Sequence, residues 1–148
     1  MDSELALAVG LGRVVSLMRS LDVPRDTSLT SASTLATLER LGPSRLTELA
    51  LYEGVTQPAM TQIVSRLEDA GLAGRRRDPD DGRVVRVFIT EDGHAALDRR
   101  RAAQAERLAV LLAELPDEDR AALSAALPAI DRLTSRALSP AVNPPKER

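Results

Sequence analysis

Apolar positions keep a helical period through most of this chain and lose it once. In residues 4–21, Leu7, Leu11, Val14, Met18 and Leu21 recur at alternating spacings of four and three, the seam of a helix packed on a helix. Leu5, Val9, Val15 and Leu17 lie off that seam, so a second buried face is expected. Residues 22–29, with Pro24, read as a loop. A second helix is expected from a Thr30 cap to about Leu41 on Leu35, Leu38 and Leu41. Gly42-Pro43 ends it. A third covers about 44–53 with Leu46, Leu49 and Ala50 inward. Gly54 closes that helix, and Thr56 caps a fourth with Pro58 in its first turn. Met60, Ile63, Val64 and Leu67 face inward there, Gln57, Pro58, Thr61, Gln62, Ser65 and Arg66 outward, and Gly71 stops it. Three short helices with a tight turn between the last two form a helix-turn-helix pattern.

The period then becomes two. Residues 73–77 are extended, Asp78-Pro79-Asp80-Asp81-Gly82 is dense in turn formers, and residues 84–89 alternate. Val85, Val87 and Ile89 fall on one side, Val84, Arg86 and Phe88 on the other. This is a hairpin wing. Thr90 caps a fifth helix that runs to about Glu114, with Glu91 and Asp92 favourable against its dipole. Pro116-Asp117 marks a corner. A sixth helix covers about 119–138, and Pro128 inside it predicts a kink or local break. Residues 139–148 hold three prolines and are expected to be a disordered tail.

Composition narrows the chemistry. The 148 residues hold one Phe, one Tyr and no Trp, so Leu, Ala and Val must fill the core. That suits close-packed helices in one domain. Cysteine is absent, which excludes disulfides and thiol redox sensing. With His94 the only histidine, a His-based metal site or triad is not expected. No nucleophile–base pair or phosphate loop is visible, so neither enzyme activity nor a cofactor is expected. No apolar run suits a membrane span and no signal peptide is read, so a cytoplasmic location is expected. Net charge is −2, but nineteen of the twenty basic residues are Arg, and Arg75, Arg76, Arg77, Arg83 and Arg86 crowd into twelve positions. Arg suits bidentate phosphate and guanine contacts. Charge alone leaves a DNA surface and a merely solvated hairpin both open.

The order of four helices, wing and two helices, with Asp81-Gly82-Arg83 in the wing and Ile89-Thr90-Glu91-Asp92-Gly93 after it, resembles the MarR family of winged-helix regulators. The resemblance covers residues 4–138. It is strongest from Leu67-Glu68-Asp69-Ala70-Gly71-Leu72 through Asp78-Pro79 and Asp81 to Arg83, Thr90 and Gly93. It implies a single domain over residues 1–138, mainly α with a β-hairpin wing. Within it, a winged helix-turn-helix at about 30–90 is joined to dimerisation helices at about 4–21 and 91–138. It also implies a homodimer on double-stranded DNA with a near-palindromic operator, and a repressor of its own or neighbouring genes.

In that frame Gln57, Thr61, Gln62, Ser65 and Arg66 offer base contacts in the major groove, and the Thr56–Pro58 end offers backbone N–H groups to a phosphate. Arg83 is expected in the minor groove with Asp81 holding its guanidinium. Arg75, Arg76 and Arg77 are expected near phosphates, at least one of them turned inward or along the sheet, and Arg86 is expected at the DNA surface with them. The resemblance further implies release by a small aromatic acid or phenol between the two regions, near Tyr52, Arg13 or His94 if these face it. A winged-helix interaction module without DNA binding is the alternative, and Arg83 with Asp81 argues against it.

Overall fold

The computed structural model describes residues 2–21 and 28–137. Along them run α1 (Ser3–Ser20), α2 (Leu29–Leu41), α3 (Leu46–Glu53), α4 (Gln57–Asp69), β1 (Ala73–Arg77), β2 (Val85–Ile89), α5 (Glu91–Ala113) and α6 (Asp117–Ala137). The mainly helical fold with a small hairpin is as the sequence pattern requires. The loop assigned to residues 22–29 lies mostly outside the described residues. Leu138 and the tail expected at 139–148 lie wholly outside them.

The core is aliphatic. Leu35 and Leu38 of α2 pack with Leu49 and Ala50 of α3, Met60, Val64 and Leu67 of α4, Ala73 and Val87 of the hairpin, and Leu97 of α5. Each large side chain buried there contributes about 1.5–3 kcal/mol. Tyr52 and Phe88 are only half-buried. The single core therefore joins the helix-turn-helix, the wing root and the start of α5, and it fixes how the wing stands beside α4.

Local chemistry sets the element ends. Ser28, not Thr30, caps α2, its hydroxyl accepting the Ser31 N–H at 3.1 Å. Both residues are good caps, and Thr30 lies inside the helix, where its carbonyl accepts the Thr34 hydroxyl at 2.8 Å. The third helix starts at Leu46, later than its pattern suggests. Ser44 is extended and exchanges both backbone hydrogen bonds with Val87, at 2.9 and 2.8 Å. Glu48 then reaches back to accept the Arg45 N–H at 2.8 Å. Ser44 thus covers the free edge of β2, a site that otherwise presents unpaired backbone groups.

Gly54 (φ 66°) and Gly71 (φ 73°) bracket α4 in the left-handed region, where a side chain is disfavoured. β1 and β2 pair antiparallel from Ala73↔Ile89 to Arg77↔Val85. β2 begins at Val85, one residue later than its alternation suggests, because the Val84 N–H closes the turn onto the Asp81 carbonyl at 2.9 Å. Thr90 caps α5 by accepting the Gly93 N–H at 3.1 Å and donates to the Gly71 carbonyl at 2.6 Å. Gly93 is required there: a Cβ would stand 2.2 Å from the Leu72 carbonyl oxygen.

The outer helices differ in kind. Among the described residues, no α1 side chain is buried, and Leu7 is 65% exposed. Val110 of α5 and Leu123, Leu127 and Leu133 of α6 are also exposed. α6 starts at Asp117, two residues before the expected point, because the Pro116 carbonyl accepts the Asp119 and Arg120 N–H groups, both at 3.1 Å. Arg120 caps the end of α5 through the Ala113 and Leu115 carbonyls and pairs with Asp117. α6 runs through Pro128 without the expected break. The residues on either side of it, Leu127 and Ala129, are exposed.

Candidate nucleic-acid interface

The interface is built on α4 and the hairpin that follows it. Thr56 caps α4, its hydroxyl accepting the Ala59 N–H at 3.3 Å, and Pro58 occupies the first turn. Met60, Val64 and Leu67 are buried, which turns the other face outward. Thr56, Gln57, Pro58, Thr61, Gln62 and Arg66 are exposed there and Ser65 is half-buried. The Thr61 hydroxyl donates to the Gln57 carbonyl at 3.0 Å, leaving its methyl for apolar contact. Arg66 has no salt-bridge partner among the described residues. Gln amide edges, an Arg fork and a Thr methyl are groups able to discriminate base pairs in a major groove.

The wing spends its arginines unequally. Arg75 pairs with Glu68 of α4 at 3.4 Å, Arg76 stacks over the Phe88 ring at 5.2 Å, and Arg77 donates to the Gly82 carbonyl across the turn at 3.0 Å. All three are exposed and keep further donors for a phosphate. Arg86 differs. Its guanidinium is held by the Asp78 carboxylate and donates to the Pro43 carbonyl at 3.3 Å. A residue expected at the DNA surface is thus held by an internal tie.

Asp81 also acts otherwise than expected. Its carboxylate accepts the backbone N–H of Arg83 at 3.1 Å, so it shapes the loop and does not hold the guanidinium. Arg83 is exposed, with no side-chain partner among the described residues. A free guanidinium at the wing tip suits a narrow groove of strong negative potential.

Beneath the tip lies Asp78, only 8% exposed. One of its oxygens accepts the N–H groups of Asp80 and Asp81 at 2.8 and 3.2 Å, and the other meets Arg86. The Arg86 guanidinium, then the Asp80 N–H, pull its pKa down to about 2, and Asp78 in turn raises that of Arg86. An Asp opening a dense turn is a short-range sign of the backbone capping, but nothing short-range flags the tie to Pro43 through Arg86. Sequence reading missed Asp78, Pro43 and Ser44 as parts of one assembly because they are brought together from distant positions.

The residues considered for an effector pocket each stand in a different setting. His94 meets Glu39 of α2 at 3.0 Å, and Glu39 also takes Arg101 at 2.6 Å. Arg101, then His94, hold the Glu39 carboxyl below its ordinary pKa. Tyr52 lies under Arg40 at 5.7 Å, and Arg13 is on exposed α1. Among the described residues, no group of His, Asp and Glu could hold a metal, and no helix is long and apolar enough to cross a membrane.

The chain as a whole is similar to known proteins. The MarR family model matches residues 27–85. An HTH-type transcriptional regulator of Mycobacterium tuberculosis is 36% identical over 118 residues, 80% of this chain and 81% of the relative. The chain belongs to the MarR family. Like the relatives it matches, it is a DNA-binding transcriptional regulator. The fold of this MarR member is similar to the crystal structure of RV1404 from Mycobacterium tuberculosis (TM-score 0.72, 22% identity, 91% of this chain and 96% of that one). It is also similar to the PcaV regulator from Streptomyces coelicolor, crystallised with its natural ligand (TM-score 0.55, 25% identity, 88% of this chain and 91% of that one).

Proposed function

We propose that this MarR-family regulator is a homodimeric repressor that reads a near-palindromic operator in double-stranded DNA. The observation that carries the reading is the contrast at the wing tip. Arg83 is unpaired while its neighbours are tied into the fold, and it stands on a hairpin fastened to α4 through Glu68–Arg75. In this reading the outward residues of α4 enter the major groove and Arg83 the adjacent minor groove. Gln57, Thr61, Gln62, Ser65 and Arg66 read bases. Thr56, Pro58, Arg75, Arg76 and Arg77 lie near phosphates. Asp81 shapes the loop for Arg83.

The dimer rests on α1, α5 and α6. α1 carries apolar residues on opposite sides, Leu7, Leu11 and Val14 on one and Leu5 and Val9 on the other, all exposed in the single chain. A second copy offers the same stripes, and a two-fold axis makes them self-complementary. Two recognition helices then stand about 34 Å apart, one turn of DNA. A dimer so seated on a promoter excludes polymerase, which makes repression of its own or neighbouring genes the natural outcome. PcaV was crystallised with its natural ligand. By analogy a small molecule between the outer helices and the lobe shifts the lobe spacing and releases the operator.

The test is selection of bound duplexes from a random-sequence pool, followed by affinity measurements across salt. The expected result is a two-fold-symmetric consensus, with log affinity falling linearly against log salt. Binding with no preferred sequence and no salt dependence overturns the reading.

A further inference from the structure

Arg86 stands in the wing among the arginines of the proposed DNA surface, yet its donors point into the protein. It pairs with Asp78 and reaches the Pro43 carbonyl at 3.3 Å. The next residue, Val87, is fully buried and exchanges both backbone hydrogen bonds with Ser44. Two successive β2 residues therefore fasten the wing to the turn that leads into α3. The fastening continues to the tip. Asp78 receives the N–H groups of Asp80 and Asp81, and the Asp81 carboxylate receives that of Arg83.

The geometry points to Arg86 as a positioning residue that fixes the pose of the wing tip through Asp78 and Pro43 and does not itself touch DNA. A two-stranded hairpin has little rigidity of its own. A wing free to swing must lose that freedom on binding, so one held in place beforehand binds more tightly. Arg suits the task because its planar fork can serve a carboxylate and a carbonyl at once, whereas a Lys ammonium acts as a point charge. The carboxylate is ionised across the physiological range, so the tie is permanent. This inference rests on the DNA-binding reading, and one arm of its test needs no DNA.

The experiment compares the full chain with Arg86→Ala, Arg86→Lys, Asp78→Asn and the double variant Asp78→Asn/Arg86→Ala. The probe is a duplex selected by the unmodified protein from a random pool. Each single variant is expected to weaken binding about tenfold, the scale of one charge-assisted hydrogen bond. The double variant is expected to be no worse than either single one, since both break the same tie.

A direct phosphate contact gives a different pattern. Lys then rescues binding, Asp78→Asn frees Arg86 and leaves affinity unchanged or higher, and the two losses add. Any of these overturns the inference. Without DNA, amide exchange at Asp80, Asp81 and Val87 is expected to quicken about tenfold in Arg86→Lys, the scale of one broken tie, while Leu38 and Val64 stay protected. Unchanged exchange overturns the tie, whatever the DNA result. A protein that selects no duplex at all sinks the DNA reading, while the exchange measurement still decides the tie.

Discussion

The lobe from α2 to β2 and the outer helices use the same residues to opposite effect. In the lobe, Leu35, Leu38, Leu49, Met60 and Val64 are at most 1% exposed. In α1 and α6, Leu7, Leu127 and Leu133 are more than half exposed. The lobe is complete as drawn, with its polar turns closed by Thr90, Asp78 and Ser44. The outer helices satisfy their backbones but leave their apolar stripes bare. The buried core is thus local to the lobe, while in the proposed dimer the spacing of two lobes depends on what covers the outer stripes.

Breaking the outer helices separates the two regions most clearly. Leu7→Glu on α1 places a charge on a stripe that a second copy covers in the proposed dimer. The expected outcome is a monomer in sedimentation velocity and a loss of operator affinity of about a hundredfold or more, because the second lobe is no longer tethered. The far-ultraviolet dichroism of the lobe is expected to persist. A Leu7→Glu dimer of unchanged affinity would remove α1 from the assembly.

The converse substitution belongs to the lobe. Leu38→Ala is expected to cost about 2–5 kcal/mol in denaturant unfolding, the range for a buried leucine, while the folded fraction remains dimeric. A cost below about 1 kcal/mol would mean that the site collapses easily and the core is looser than its burial implies.

Arg83→Ala sharpens the comparison within the lobe, since Arg83 is exposed and its proposed role is in DNA binding, not in the fold. Affinity should fall by about 1–3 kcal/mol, the scale of one arginine contact. Preference for A·T pairs beside the half-site should fade, and unfolding should be unchanged. Equal binding at A·T and G·C flanks by the unmodified protein would contradict minor-groove insertion.

The smallest effect concerns pH. Asp78 has its pKa lowered from 3.8 to about 2 in the folded chain. A depressed carboxylate contributes stability that is present above its unfolded pKa and lost as pH falls through the folded one. The stability gap between the unmodified protein and Asp78→Asn should therefore be flat from about pH 5 to 8 and narrow between about 4 and 2. A gap that varies near neutral pH would assign the titration to another group. Glu39, lowered by Arg101 and His94, has the same sign.

Features that depend on nearest neighbours were legible in the sequence. Thr56 and Thr90 announce their helices because a cap bonds three residues ahead. The α4 faces follow from helical period, and the hairpin from alternation around a dense turn. Features that depend on closing a long loop were not. Ser44 looks like a helix residue until Val87 arrives from 43 positions away. Arg86 looks like one more basic residue of the DNA surface until Asp78 and the Pro43 carbonyl claim it. Asp81 was read as a partner of the nearby guanidinium, when the nearer backbone N–H takes it. Thr30 and Ser28 are equivalent by residue type, and only the geometry of the helix start chooses between them.

The most direct test of the two-lobe account is a hydroxyl-radical footprint of the full-length protein on its selected duplex. The account predicts two protected patches related by a two-fold axis, their centres about one helical turn apart. Arg83→Ala should reopen the minor groove beside each patch. A single protected patch without symmetry, bound by one copy of the chain, would contradict it.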